Sequence, residues 1–262
     1  MHYRQIDDEF FVVFQDTSAR VFGRISDTAY PATYRCLFAF CAKAGSLKTG
    51  MFECVDTDNP YSFKILLRCF CEHYLRFMYV WSRFTQEKSD QPGQDFYNFC
   101  GAAEAVDYVS SLTATERLLG KDTVVNARKA VAALYPEVEH LSSAELERRS
   151  AMFKYRSILR FLVSEPYEFV AGERPFLAHI VPAYALLSSY VHGGPYAEME
   201  MAEFSQPHVL EACHSNAEVV VLMSASVYLL TAAAVAREFP EVGDVPAKVN
   251  AALKPLRVTD GA

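Results

Sequence analysis

The chain has 262 residues, 51% of them apolar and 22% charged, and 25 basic against 32 acidic residues give a formal net charge of −7. This composition excludes a disordered or low-complexity chain, and 11 glycines with 12 prolines are too few for a turn-dense all-β fold of this length. The net negative charge argues against general, charge-driven binding to duplex nucleic acid but leaves a local basic groove possible.

Helical periodicity runs through nearly the whole chain and predicts an all-α fold of about eight helices. In chain order, the predicted helices cover residues 8–26, 31–44, 62–86, 95–119, 123–133, 143–163, 175–191 and 207–237. Neither a Ser/Pro/Gly-rich linker nor a solenoid-type repeat divides the sequence. A single all-helical domain spanning 1–262 is therefore predicted.

Two segments, 62–86 and 219–236, are apolar on nearly every face, which predicts two central helices wrapped by amphipathic ones. The second lacks charge throughout and is long enough for a membrane span. Its alanines, serines and threonine, and the absence of an aromatic belt or basic flank, favour a core helix instead. A membrane-associated protein remains an alternative hypothesis.

The cysteines and the start of the chain predict a cytoplasmic protein. Seven cysteines show no secreted-type spacing, so free thiols in a reducing compartment are expected. Residues 1–8 are polar and acidic, without the pattern of a signal peptide. Phosphate-loop, dinucleotide, zinc-protease and nucleophile-elbow motifs are missing as well, and we predict neither a cofactor nor a metal.

The most informative charges stand on the central helix 62–86. Arg68, Glu72 and Arg76 recur at i, i+4 and i+8, so they form one polar stripe on an otherwise apolar helix. Buried charges need partners or water. The stripe is either a buried Arg–Glu pair that fixes helix register, or a polar pocket in which Arg68 holds an anionic group and Glu72 orients it.

A second polar pair ends the predicted helix 175–191. Ser188 and His192 are four residues apart and share a face, and two glycines follow His192. A histidine at this position either acts as a general acid or base, or simply caps the last turn of the helix.

Together, Arg68-x-x-x-Glu72 and the segment 187–194 (Leu-Ser-Ser-Tyr-Val-His-Gly-Gly) resemble a bacterial helical family of unknown function grouped near the HEPN domains. The resemblance covers about residues 30–235. It implies a metal-independent RNA-cleaving effector in bacterial defence or stress response, working as a homodimer or with a cognate partner protein. HEPN-like ribonucleases also carry an Arg-x4–6-His motif, and Arg174 and His179 have that spacing, although a proline follows the arginine here.

Under this ribonuclease hypothesis His192 serves as general base or acid and Arg68 stabilises charge on the phosphate. Glu72 orients Arg68, and Ser188 adds a hydrogen bond. RNA would be held by Arg76 and by a basic stripe, accompanied by Phe153, on the predicted helix 143–163: Arg149, Arg156 and Arg160. The stripe is alternatively a solvated face.

A catalytically inactive helical module for protein interaction, with Arg68 and Glu72 as internal glue, is the main alternative. The ribonuclease hypothesis predicts that these two residues and His192 meet at an open cleft, whereas the interaction module predicts a closed pair.

Overall fold

The computed structural model describes residues 2–121, 126–164 and 174–257, and the described chain is helical with no β-strand, which confirms the all-α prediction. Eleven helices are seen in these ranges rather than about eight. Their bounds are α1 His2–Val21, α2 Pro31–Asp56, α3 Pro60–Glu87, α4 91–118, α5 Ala127–Leu134, α6 Ser143–Ser150, α7 Tyr155–Ser164, α8 Arg174–His192, α9 Pro195–Met201, α10 Pro207–Val235 and α11 Val245–Arg257.

The additional helices have two origins. The short helices α9 and α11 were not predicted, and the predicted helix 143–163 is divided into α6 and α7. Ala151–Phe153 form a turn of 3₁₀ helix and Lys154 is extended, with ψ of 145°. This break turns Phe153 into the core, where its ring meets those of Tyr79 and Phe96 edge-on. Tertiary packing of one aromatic ring therefore overrides the helical pattern.

Helix α2 continues twelve residues beyond its predicted end at residue 44 and reaches Asp56. Two glycines, which lower helix propensity, stand in this extension. A Cβ atom on Gly45 would lie 3.1 Å from the Tyr228 hydroxyl, and one on Gly50 would lie 3.1 Å from the Leu66 side chain. These glycines permit close approach of α10 and α3 to α2, and that packing outweighs the local propensity.

The centre of the fold is built from α2, α3 and α10. Helix α2 packs along both of the others, and the buried apolar side chains form one contiguous cluster. Among its largest fully buried members are Tyr34, Phe70, Phe77, Phe84 and Tyr228. Helix α10 is the one described helix long and apolar enough to cross a membrane, yet 67% of its most apolar window is buried. That burial is the arrangement expected of a core helix.

The N-terminus of α2 is capped from another helix. Asp90, which precedes α4, accepts hydrogen bonds from the backbone amides of Ala32 (3.1 Å) and Thr33 (2.7 Å). These are amides that a helix leaves without internal partners. Gly93 makes the approach possible, because a Cβ atom there would lie 2.3 Å from the Thr33 nitrogen. Helix α4 is thereby fixed against α2; it contains a turn of π-helix at Phe96–Cys100 before continuing to Leu118.

Candidate functional site

The polar stripe of α3 faces α8, and the two helices run antiparallel. Near the start of α3, the Tyr61 hydroxyl donates to the Tyr190 carbonyl at 3.1 Å. Two turns later, Arg68 Nε donates to Ser188 Oγ at 3.2 Å. Residues later in α3 therefore contact residues earlier in α8, as expected of antiparallel helices. The sequence-predicted residues Arg68, Glu72, Arg76 and Ser188 meet at this seam.

Arg68 is held from three directions. Its Nη1 bonds Glu72 Oε2 at 2.7 Å, its Nε bonds Ser188, and its Cζ lies 3.4 Å from the ring centroid of Tyr184. Ser188 in turn donates to the Tyr184 carbonyl at 2.9 Å, so its oxygen lone pair accepts from Arg68 while its hydrogen is already used. With 11% of its side chain exposed, Arg68 fixes α3 to α8.

Glu72 joins two arginines. Its second oxygen, Oε1, lies 2.7 Å from Arg76 Nη2, completing an Arg–Glu–Arg chain along one face of α3. Partial burial disfavours the carboxylate, but the hydrogen bond from Arg68 and the charges of Arg76 and Arg68 outweigh it, and the pKa of Glu72 is lowered. The carboxylate thus stays ionised, and the chain of three carries a net positive charge.

Beyond Tyr184 the stack continues to α7. The rings of Tyr155 and Tyr184 are parallel, with centroids 4.1 Å apart and an interplanar angle of 4°. The Tyr155 hydroxyl donates to the Val181 carbonyl at 3.2 Å, which anchors the ring at its far end. The order Arg68, Tyr184, Tyr155 therefore places a guanidinium on one face of Tyr184 and a phenol ring on the other.

The stack opens into a shallow cleft of about 560 Å³ between α7 and α8. Its lining residues are Lys154, Tyr155, Arg156, Ser157, Tyr184 and Ala185. Because it is open to solvent and bordered by two cations and two phenol rings, the cleft suits an anionic ligand with a flat aromatic group.

The predicted basic stripe is not continuous, and its prediction as one helical face was wrong. Arg149 lies before the break in the helix, pairs with Glu145 at 2.8 Å and covers the ring of Phe99. Arg156 and Arg160 lie after the break on α7, are exposed, and form no ion pair with any described residue. Only Arg156 of these three lines the cleft.

His192 is the last residue of α8 and is exposed. Among the described residues its imidazole has no hydrogen-bonding or ion-pair partner, and it does not join Arg68 and Glu72 through any contact. Ser188, one turn earlier, does join them. The structure therefore brings together four of the predicted site residues and leaves His192 at the helix end.

Of the two residues in the Arg-x4-His motif, only His179 has a described side chain. The side chain of Arg174 lies outside the described part of the structure. His179 is exposed and lines a second groove of about 340 Å³, which is floored by Phe63 and Leu67 of α3. Near that groove, Glu200 accepts hydrogen bonds from Lys64, Tyr190 and Tyr196.

Sequence reasoning missed the two stacked tyrosines. Tyr184 precedes Ser188 by four residues, so the same spacing rule that selected Ser188 and His192 also selects Tyr184. Tyr155 has no comparable signal, because it reaches the site only after the helix breaks at Lys154. No group of three or more His, Cys, Asp or Glu side chains in the described ranges is placed to hold a metal ion.

Comparison with protein-family models, with curated proteins and with solved structures gives no match for this chain.

Proposed function

We propose that the protein binds single-stranded RNA at the cleft between α7 and α8. The observation that carries the proposal is the Arg68–Tyr184–Tyr155 stack at a cleft bordered by Lys154 and Arg156. Proteins that bind single strands combine a positively charged groove with aromatic rings on which bases stack. Both parts are present here within one short stretch of surface.

Tyr155 is the proposed stacking surface for a base. Both faces of Tyr184 are occupied, one by Arg68 at 3.4 Å and the other by Tyr155 at 4.1 Å. No further described ring packs on Tyr155, and it lines the open cleft. Stacking on a ring already fixed by its hydroxyl and its neighbour costs little ordering entropy, which favours binding.

The RNA phosphates would be bound by the basic side chains of α7 and by Lys154, which precedes that helix. Lys154, Arg156 and Arg160 are exposed and have no carboxylate partner among the described residues. In a chain of net charge −7 they form a local basic surface. Attraction of this kind acts at short range, because salt screens exposed charges beyond about 8–10 Å.

RNA cleavage is the further part of the proposal that the HEPN resemblance contributes. The 2′-hydroxyl oxygen would attack phosphorus and displace the 5′-oxygen, leaving a 2′,3′-cyclic phosphate and a 5′-hydroxyl. His192 would take or return the proton, and the positive Arg68–Glu72–Arg76 chain would stabilise the charge on phosphate. Because His192 stands at the end of α8 without a contact to that chain, the phosphate would have to bridge the two. A homodimer and a reducing, cytoplasmic location belong to the same proposal. The seven cysteines are free in the structure, and burial raises the thiol pKa of Cys71 to about 12.

Fluorescence anisotropy with labelled oligonucleotides of about 12 nucleotides tests the binding step. We expect single-stranded RNA to bind the wild type and Tyr155→Ala to weaken binding about tenfold or more, since each stacked base contributes about 1–3 kcal/mol. Arg156→Glu should weaken it comparably and lower the slope of log affinity against log salt by about one phosphate contact.

Two control variants separate the cleft from general charge and from stability. Arg117→Glu changes an exposed arginine of α4, which has no ion-pair partner among the described residues, by the same charge and should leave RNA affinity unchanged. Tyr155→Phe keeps the ring and loses only the hydroxyl bond to Val181, so it should bind nearly as wild type. Equal loss in Arg117→Glu and Arg156→Glu, or no RNA binding by the wild type, contradicts the proposal.

Cleavage is followed separately, by comparing RNA integrity with wild type and His192→Ala. Products that appear with wild type and disappear with the variant support His192 as the acid or base. The same decay with both proteins, or none with either, removes catalysis by His192.

A second candidate function is a helical protein-interaction module. Two observations favour it: the charged atoms of Arg68 are largely used inside the protein, and apolar side chains are exposed where α8 meets α9. Val191, Met199 and Met201 are 45%, 76% and 52% exposed. This candidate predicts that Met199→Lys abolishes a self-association or partner complex visible by size-exclusion chromatography while RNA affinity is unaffected.

A further inference from the structure

A separate cavity lies between α1 and α2. Its volume is about 710 Å³, within the range of pockets for small organic molecules. Its walls include five aromatic rings: Phe11, Phe14, Phe22, Phe38 and Tyr228. None of its lining residues belongs to the RNA cleft.

The floor of the cavity holds a buried ion pair. The Lys48 ammonium bonds Asp7 Oδ1, with 2% and 10% of the two side chains exposed. The same ammonium lies 4.9 Å from the centroid of Phe10 and 6.0 Å from that of Tyr228. Aromatic faces attract cations, so this region of the fold already accommodates one positive charge among rings.

Three hydroxyls on the walls are available as acceptors, and the amide of Gln15, which also lines the cavity, offers both donors and an acceptor. The hydroxyls of Ser18, Ser46 and Thr49 each donate to a carbonyl of their own helix, at 2.9, 3.1 and 3.1 Å. Their hydrogens are used, and their lone pairs remain available as acceptors. Asp8 adds an exposed carboxylate that has no ion-pair partner among the described residues.

The charges that line the cavity also favour a cationic ligand. Asp7 and Asp8 supply two negative charges against the single positive charge of Lys48, so the lining is net negative. A carboxylate ligand would meet acceptors and a net negative charge. An amine would meet hydroxyl acceptors, the exposed carboxylate of Asp8 and aromatic faces.

We propose that this cavity binds a lipophilic amine, with the protonated nitrogen near Asp8 and the apolar body against the aromatic walls. The hydroxyl oxygens of Ser46 and Thr49, which line the same cavity, would accept hydrogen bonds from the ammonium group. Lys48 and Asp7 form the floor and stay paired with each other. This site is independent of RNA binding.

Isothermal titration calorimetry of the full chain with hexylamine, hexanol and hexanoate tests the proposal, because these probes share a carbon chain length and differ in head group. We expect hexylamine to bind about tenfold more tightly than hexanol, since a hydrogen bond to a charged group contributes about 1.5–3 kcal/mol. Hexanoate should bind more weakly than either.

Three variants locate the site. Asp8→Asn should weaken hexylamine about tenfold and leave hexanol unchanged, whereas Glu9→Gln, the neighbouring exposed carboxylate outside the cavity, should change neither. Ala42→Trp fills the cavity from an exposed position and should abolish binding of both probes.

Thermal unfolding establishes whether each variant is folded. If Ala42→Trp does not fold, Asp8→Asn still tests the proposal. The proposal is overturned by preferential binding of hexanoate, by equal affinity for hexylamine and hexanol, by equal effects of Asp8→Asn and Glu9→Gln, or by no hexylamine binding in the wild type.

Discussion

Two ionic clusters inside this helical fold differ in how they tolerate burial. Lys48 and Asp7 form a single pair between α2 and α1, with almost no exposed side-chain surface. Arg68, Glu72 and Arg76 form a chain of three on α3, with 11%, 34% and 24% of their side chains exposed. The first cluster is dry, in that water reaches almost none of it, and each charge has one partner. The second is more accessible to water, and its carboxylate has two arginine partners.

The pKa shifts follow this difference. Burial raises the pKa of Asp7 and lowers the pKa of Lys48, despite their mutual attraction, so both are driven toward their neutral forms. For Glu72, burial acts in the same sense as for Asp7, but two arginines reverse the outcome and its pKa is lowered. The number of partners and the access of water, rather than the presence of an ion pair, decide the direction in which the fold shifts each pKa.

The largest expected effect comes from breaking the dry pair. Lys48→Met should lower the free energy of unfolding by about 3–5 kcal/mol, because it leaves Asp7 buried without its partner. Urea unfolding at neutral pH measures the change. Lys48→Met combined with Asp7→Leu should recover most of the loss, since two well-packed apolar side chains replace a buried pair at little cost. A double variant as unstable as the single one would show that the pair itself stabilises the fold.

A smaller loss is expected at the wetter cluster. Arg68→Met removes the bonds to Glu72 and Ser188 and the contact with Tyr184, and should cost about 2 kcal/mol in the same measurement. Glu72→Gln should cost only about 1 kcal/mol, because a partly exposed pair is screened by water. Arg68→Lys should fall between wild type and Arg68→Met, since an ammonium keeps the charge but lacks the planar fork. A larger loss in the free energy of unfolding for Arg68→Met than for Lys48→Met would contradict the expected order of the two clusters.

The smallest effect concerns His73, which follows Glu72 but points into the core beside Phe40. Burial, followed by the charges of Lys43 and Arg76, lowers its pKa from 6.5 to about 4. Between these values the unfolded chain binds a proton that the folded chain does not, so stability should fall as the pH drops from 6.5 to about 4. The loss should be about 1 kcal/mol after solvent screening.

His73→Phe isolates that contribution, because it cannot be protonated and keeps an aromatic ring in the core. Chemical unfolding at several pH values should show a flatter profile for this variant over the same window. An unchanged profile would assign the pH dependence to another group.

Much of the polar seam was predictable from spacing alone. The i, i+4 and i+8 positions of Arg68, Glu72 and Arg76 predicted a shared face, and both ion pairs are found there. Ser188 accepts a hydrogen bond from Arg68 in this seam, and the hydrogen bond that it would add in catalysis stays a prediction. Spacing equally placed His192 on the face of Ser188, and the glycines that follow predicted that the helix ends there. The sequence did not indicate that the imidazole is exposed and makes no contact with Arg68 or Glu72. The catalytic role of His192 stays a prediction.

The pair of Lys48 and Asp7 was beyond sequence reasoning for a physical reason. The two residues are far apart in the chain, and Lys48 stood outside the predicted helix that ended at residue 44. Only the packing of α10 against Gly45 and of α3 against Gly50 continues α2 far enough to bury Lys48. Tyr155 is a similar case, because it enters the cleft only after Phe153 has been drawn into the core.

The sequence by itself determined the helical class, the apolar character of α3 and α10, and the charges that share a face within one helix. These follow from periodicity, which is a local property of the chain. The tertiary structure decided where helices continue or break, which charges are dry or wet, and which rings stack across α7 and α8. Those outcomes depend on contacts between distant segments, whose packing energies exceed the local propensities that the sequence displays.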